Sequence, residues 1–468
     1  MEHVTPGNIS YQRLTALLWL TVYVVCFMHA YISWGTVTFF YLGLWYNYDL
    51  VNALLAYSII ALFGCILPTS LNRYSDFACW IIFLIIFIPA ILCISVQGFE
   101  SFSAPGLMLS LTVSFLFMIY IPRVLIFRQG VITQRFQSDR FLFLFMGVYF
   151  AAVAFYFYEF RGMLRFSSLE SLYTQRALFA AAAPSTLALY LTGWLSNAMN
   201  PYLLAVGMFD RSRRWLLPVA IAGQVLVFMA FAGKVMLVML FVVVGFYLFA
   251  IKNGRIVVSR LTFGAAALGM LVSAILIVTG DRPSGVAFDV VSTIFMRTLA
   301  LQGAMVGVYA DVFSDSPLTY WSHSNILNLF IEYPYKVPLG FVVGIRLAGG
   351  DGFNANSSFW ASDGLAAFGM IGVMIVGIVF GVLLSLANKV VTRARLAFAA
   401  TVSLPFLMQE ANIPLLTGLV TGGGLFMVAM IAYGMPAPKM RRMAPYGPPR
   451  GSLAARQFAG QLKERIAR

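Results

Sequence analysis

The chain has 468 residues, 61% of them hydrophobic and only 10% charged, with a mean hydropathy of +0.86; a soluble domain carries about 25% charged residues. That composition excludes a water-soluble enzyme and describes an all-α polytopic membrane protein. The +14 net charge is no signal for nucleic acid, because no basic block stands with aromatics on a soluble segment.

A helix needs about 20 apolar residues to cross the hydrocarbon of a bilayer. Runs of that kind predict about twelve transmembrane helices, at 14–34, 51–69, 77–96, 106–127, 141–160, 180–208, 215–232, 234–251, 261–279, 359–387, 396–411 and 415–433. The first run lacks a basic leader and a small-residue cleavage site and is expected to be a retained helix. Cys26, Cys65, Cys79 and Cys93 all fall inside predicted spans, where they serve as small apolar packing residues and imply no disulfide framework.

Between the fifth and sixth spans, EFRGMLRFSSLESLYTQRALF (Glu159 to Phe179) carries Arg161, Arg165 and Arg176. Between the ninth and tenth, residues 280–358 form a large external loop, longer than ordinary connections and too apolar and aromatic to be disordered. It is expected to fold against the membrane face. Within it Val286 to Phe313 reads as a helix whose polar stripe repeats Asp289, Thr293 and Arg297 every four residues. The alternative is a thirteenth, partly embedded span. The expected organisation is thus a transmembrane domain over 1–433, containing the loop 280–358, and a basic cytoplasmic tail over 434–468. That tail is Pro- and Gly-rich, ends in KERIAR and suits an anionic lipid surface.

With the N-terminus inside, 23 of the 31 Lys and Arg residues fall on the inner side, and 12 of the 17 acidic residues fall outside. This obeys the positive-inside rule and puts both termini in the cytoplasm.

Eight cations remain outside: Arg161, Arg165, Arg176, Lys234, Arg282, Arg297, Lys336 and Arg346. Lys234 sits in FMAFAGKVMLVML, where only a tight turn separates two apolar spans. A lysine there either snorkels to the interface or faces an anionic ligand. Several outer cations suit a phosphate or diphosphate, for which Arg offers bidentate hydrogen bonds. Gly349, Gly350 and Gly352 offer either an anion nest or a plain turn. His3, His29 and His323 have no ligand partner at metal-binding spacing, so no metal and no cofactor is expected. Asp363 and Glu410 lie beside or inside apolar spans, as bases or as partners of Arg297 or Arg346. Asn354, Asn356, Ser357 and Ser358 precede the tenth span in GFNANSSFWASDGLAAFGMIG. They are either helix caps or donors to a glycan, with Asp363 one to two turns deeper. Gly377 and Gly381 make a GxxxG spacing, read as close helix packing.

The order of these features resembles a Wzy-type O-antigen or exopolysaccharide polymerase. The features are LYTQRALF before mid-chain, the Gly-Lys turn AGKVML, a late outer loop opening with FMRTLALQ, and NANSSFW running into GMIG. The resemblance covers about residues 140–430. It implies a GT-C-like glycosyltransferase of the bacterial inner membrane, acting at the periplasmic face. Its donor and acceptor are undecaprenyl-diphosphate-linked oligosaccharides, and a chain-length co-polymerase is an implied further partner. By motif position, the catalytic cations are Arg176, Lys234 and Arg297. Arg165, Arg346, Asn354, Asn356, Asp363 and His323 are the expected substrate-binding set. Related ligases place a His where this chain has Asn354 and Asn356, which favours a polymerase and leaves the general base open. The rival readings are an O-antigen ligase, a lipid-linked oligosaccharide flippase and a non-catalytic assembly subunit.

Overall fold

A computed structural model describes residues 6–126, 138–166, 175, 178–179, 182, 184–349 and 353–434. The chain falls into two compact units, Met1–Met435 and Pro436–Arg468; the second, with the expected tail, lies outside the described residues. The first unit is helical, and among the described residues one strand pairing occurs, the turn Ile251–Lys252 with Arg255–Ile256.

In chain order the helices are α1 (6–38), α2 (Leu50–Ile66), α3 (Tyr74–Gln97), α4 (Ala104–Val124), α5 (Ser138–Phe160), α6 (186–209), α7 (Leu216–Phe231), α8 (234–250), α9 (Val258–Val278) and α10 (Gly285–Asp315). They continue with α11 (Leu339–Ala348), α12 (359–367), α13 (370–390), α14 (Leu396–Gln409), α15 (Leu415–Val420) and α16 (Gly424–Tyr433). Polar side chains start several of them: Asp49, Ser103 and Ser185 accept hydrogen bonds from the amides of Asn52, Gly106 and Ala188. Among the described residues seven helices are long and apolar enough to cross a membrane, which marks a membrane protein.

Contacts along the helices fix their directions. α1 and α3 run parallel, with Tyr23 Oη donating to Leu84 O at 2.8 Å and Asn47 N to Val96 O at 2.6 Å. α9 runs parallel to α1, from Trp19 against Phe263 to His29 beside Ser273. α4 returns antiparallel, from Phe115 against Phe83 to Pro122 O, which accepts from the Arg73 guanidinium at 3.1 Å. We call the end reached by Phe39 and Gln97 the distal end. The segments bearing Arg161, Arg165, Lys234, Arg282, Arg297, Lys336 and Arg346 all belong to it. Arg73, Arg123, Arg213, Lys389 and Arg393 stand at the opposite end. These described segments thus bring cations to two opposite ends of the bundle.

The helix expected over 286–313 is present, two residues longer at its C-terminus, as α10. At about 1.5 Å per residue it is long enough to span, yet both of its ends meet the distal end. Phe288 packs on Trp34 and Phe39, and Asp311 accepts from Ser101 Oγ. Its middle is wedged between α1 and α3, where Phe295 meets Phe27 and Gly303 lies against the Pro89 backbone. α10 thus enters and leaves the bundle at the distal end, with its middle inside the bundle at the level of Phe27 and Pro89. Its central Ser292–Ala300 stretch, which carries Arg297, is π-helical.

The span expected over 359–387 is not one straight helix. Phe368 (φ −146°, ψ 21°) and Gly369 (φ 61°, ψ −147°) break it, and the short α12 folds back along α13. The spans expected at 396–411 and 415–433 are likewise broken into α14, α15 and α16, with residues 410–414 and 421–423 outside helix.

Candidate functional site

The chain re-enters the bundle before α12. Extended residues 353–358 run down from the distal end: Phe353 O rests on Gly344, Ala355 N donates to Gly340 O at 2.9 Å, and Tyr309 Oη donates to Ala355 O at 3.0 Å. A Cβ on Gly340 would overlap the amide oxygens of Asn354 and Asn356, so α11 needs glycine there for this segment to lie flat. At the bottom, Phe359 stacks on Phe380 at 5.0 Å and Trp360 Nε1 donates to Ser114 Oγ at 2.8 Å. α12 then climbs antiparallel to α13, bringing Gly364 beside Val373. Ten residues of helix separate Met370 from Phe380, a depth of about 15 Å. Non-helical backbone at such depth persists only where protein surrounds it, and Ser357 and Ser358 are both fully buried.

This reverses one expectation. The chain descends first and Asp363 lies on the way back, so Asp363 is shallower than Ser357 and Ser358 rather than deeper than them.

From the opposite end rises α14. Its 14 residues cover only about 21 Å, so its tip stops inside the bundle. There the tip meets α12 and α10. Leu415 N donates to Asp363 Oδ2. Gln302 Nε2 donates to Asn412 Oδ1 at 3.1 Å and lies 3.3 Å from the carbonyl oxygen of Arg297. Gln302 therefore ties the turn that bears Arg297 to the broken tip.

The loop between α10 and α11 closes the arrangement. His323 Nε2 is 3.1 Å from Asp363 Oδ1, with both side chains 3% exposed. His323 Nδ1 is 3.0 Å from Thr319 Oγ1, and the Thr319 hydroxyl also lies 3.1 Å from Ala366 O, to which it can donate. Trp321 Nε1 donates to Asp363 O at 2.7 Å. Burial raises the Tyr333 phenol above the ordinary tyrosine range, and Tyr335 beside it raises it further; near neutral pH both rings of this loop are neutral hydrogen-bond donors.

Asp363 was expected to serve as a base or to pair with Arg297 or Arg346. Both of its oxygens are instead occupied, by His323 and by the Leu415 amide, because α12 carries it into the core, away from the surface where Arg346 stands. Arg346 pairs with Asp315 at 2.8 Å, and both are more than half exposed. Glu410 was also expected to pair. It is 0% exposed, and neither carboxylate oxygen has a hydrogen-bond partner. Gly418 is pressed against it, since a Cβ there would overlap Oε1.

His323, Asp363 and the Arg297 turn are thus brought together around the tip of α14, and the descending segment carries Asn354, exposed, and Asn356, half-buried. Arg165 belongs to a separate place: its Nε donates to Gln175 Oε1 at 2.6 Å, and Gln175 holds Met163 O at 2.8 Å and reaches Met229 O at 3.3 Å. The Ala232 turn (φ 55°) that leads into α8 follows directly, so the backbones of Arg165 and Lys234 share one corner. The Lys234 side chain, Arg176, Gly350 and Gly352 lie outside the described residues. No group of three or more His, Cys, Asp or Glu that could hold a metal occurs among the described residues.

Sequence reasoning missed Gln302, Asn412, Thr319 and the Leu415 amide. Gln302 and Asn412 are 110 residues apart, and nothing in either local pattern announces the contact. No family model, curated protein or solved structure matches the chain.

Proposed function

We propose that this protein is a polysaccharide polymerase of the bacterial inner membrane. It joins undecaprenyl-diphosphate-linked oligosaccharide units at the periplasmic face, by an inverting, metal-independent transfer on a GT-C-like scaffold. The observation that carries the reading is the Gln302 bridge, which ties the turn of the exposed Arg297 to the tip bearing Asn412 and Glu410. Such a transferase needs cationic groups where negative charge builds on the departing diphosphate, and an acceptor for the proton of the attacking hydroxyl. Arg297, Lys234 and Arg176 are the cations in this reading. Arg165 and Arg346 attract the lipid-linked anion, and Asn354 and Asn356 face the glycan.

A second reading is favoured by one feature. Broken helices meeting inside a bundle also build the sites of transporters, so a lipid-linked oligosaccharide flippase is the rival. Purified protein supplied with lipid-diphosphate-linked oligosaccharide separates the two. A ladder of longer glycans with release of lipid diphosphate, unaffected by chelator, supports the polymerase. Translocation across a liposome without any ladder would sink it.

A further inference from the structure

The tip of α14 is rich in acceptors and poor in donors. Glu410 Oε1 and Oε2, Gln409 Oε1 and Gln302 Oε1 are all buried atoms without a hydrogen-bond partner. Native interiors satisfy nearly all such atoms, and each exception calls for a cause. What these four oxygens lack is a hydrogen-bond donor, and a sugar brings several hydroxyls. The cluster is also close to the surface, because Asn412, two residues from Glu410, is exposed, as is Arg297 across the Gln302 bridge.

The neighbouring carboxylate is unsuited to take a proton from a substrate. Asp363 already accepts from the Leu415 amide and is paired with His323. His323 in turn has both ring nitrogens engaged, by Asp363 and Thr319. These groups clasp loop, re-entrant helix and tip together. Glu410 is the neighbouring carboxylate whose oxygens have no hydrogen-bond partner.

We infer that Glu410 is the proton acceptor of the transfer, with the carbonyl oxygens of Gln302 and Gln409 receiving neighbouring hydroxyls of the acceptor sugar. The inference rests on the polymerase reading. In the step, the acceptor hydroxyl oxygen bonds to the anomeric carbon of the donor. The bond from that carbon to the diphosphate oxygen breaks, and its electron pair leaves with the lipid diphosphate. The hydroxyl proton passes to the Glu410 carboxylate.

Access follows from the cover over Glu410. That cover is α15, six residues long, fastened at one end by the Leu415 amide to Asp363 Oδ2 and followed at the other by Gly422, Gly423 (φ 90°) and Gly424. Lifting α15 removes Gly418 from the carboxylate and opens it toward Asn412.

The test uses full-length protein in lipid nanodiscs, with lipid-diphosphate-linked oligosaccharide as donor and acceptor. Glu410→Gln keeps the shape and removes the base. Its kcat is expected to fall by about 10²- to 10⁴-fold with KM and the thermal midpoint retained. Wild type is expected to lose activity on acidification, and that loss should be absent from the residual rate of Glu410→Gln. The titratable groups facing Glu410 are Asp363 with its partner His323, and Tyr74 from α3, so Glu410→Asp serves as the conservative control and should recover part of the rate. Wild-type turnover in Glu410→Gln overturns the inference and leaves the polymerase reading intact. A fall in thermal midpoint together with lost donor binding assigns Glu410 a structural role and overturns it as well. So does a sodium requirement of wild type that disappears in Glu410→Gln, which would give the acceptor oxygens to a cation. Absence of any ladder from wild type removes the polymerase reading itself.

Discussion

His323 and Asp363 stand 40 positions apart in the chain, yet their Nε2 and Oδ1 atoms are 3.1 Å apart in a setting that leaves each side chain 3% exposed. Through this pair the loop after α10 grips the re-entrant α12, and through the second Asp363 oxygen α12 grips the tip at Leu415. Removing one member of a buried pair strands the other, at a cost of about 3–5 kcal/mol. Asp363→Asn and His323→Gln should each lower the thermal midpoint in detergent. Because the two residues touch, the double variant should be less destabilised than the sum of the singles, by about 0.5–3 kcal/mol of coupling. Strict additivity in that cycle would mean the contact carries no energy.

Arg297 and Arg346 should behave differently from one another. Arg346 pairs with Asp315 at the surface, and an exposed pair contributes about 0–1 kcal/mol, so Arg346→Ala should leave the midpoint unchanged and act only through KM for the anionic donor. Arg297→Ala should instead lower kcat, by about 10²- to 10³-fold if it acts as one donor to the leaving diphosphate. Arg297→Lys should recover only part of that, since lysine keeps the charge but loses the planar fork. Equal kinetics for Arg297→Ala and wild type would remove Arg297 from the site.

How much of this was legible in the sequence depended on the range of the interaction. Apolar periodicity located the helices, because spanning length and composition are local properties. Arg73 and Arg346, expected on opposite sides, stand at opposite ends of the bundle, because short connections keep their charges at helix ends. The spacing of Gly377 and Gly381 also read correctly. The break at Phe368 and Gly369 did not, since Gly369 in an apolar run looks like any packing glycine, and only a reversal of the chain requires its φ of 61°. The pairing of Asp363 was misjudged for the same reason: an uninterrupted helix would have carried it downward from a surface mouth. Gln302 and Asn412 meet only because two elements stop or bend inside the bundle, which no local pattern encodes.

The Gly377 prediction concerns packing alone. α13 lies so close to α4 that a Cβ at Gly377 would overlap the Oγ and carbonyl oxygen of Ser114, and Ser114 holds the Trp360 indole at 2.8 Å. Small residues permit this approach, and inserting bulk into a packed contact costs about 1–3 kcal/mol. Gly377→Val should therefore lower the midpoint. Gly147→Ala, on a helix face with nothing within 4 Å, should leave it in place.

Gly369 is the test of the re-entrant architecture. Its φ of 61° with ψ of −147° is a region that residues with a Cβ avoid, at a cost of about 1–3 kcal/mol. Space is not the issue, because no atom lies within 4 Å of a Cβ built there. Gly369→Ala is therefore a purely conformational substitution. It should favour a continuous helix through 359–390, which would swing Asp363 away from His323 and from the Leu415 amide. The expected result is a lowered midpoint with loss of the Asp363–His323 coupling: in the Gly369→Ala background, His323→Gln should cost little further stability. A Gly369→Ala protein that keeps the wild-type midpoint and the full coupling would show that α12 does not depend on this break.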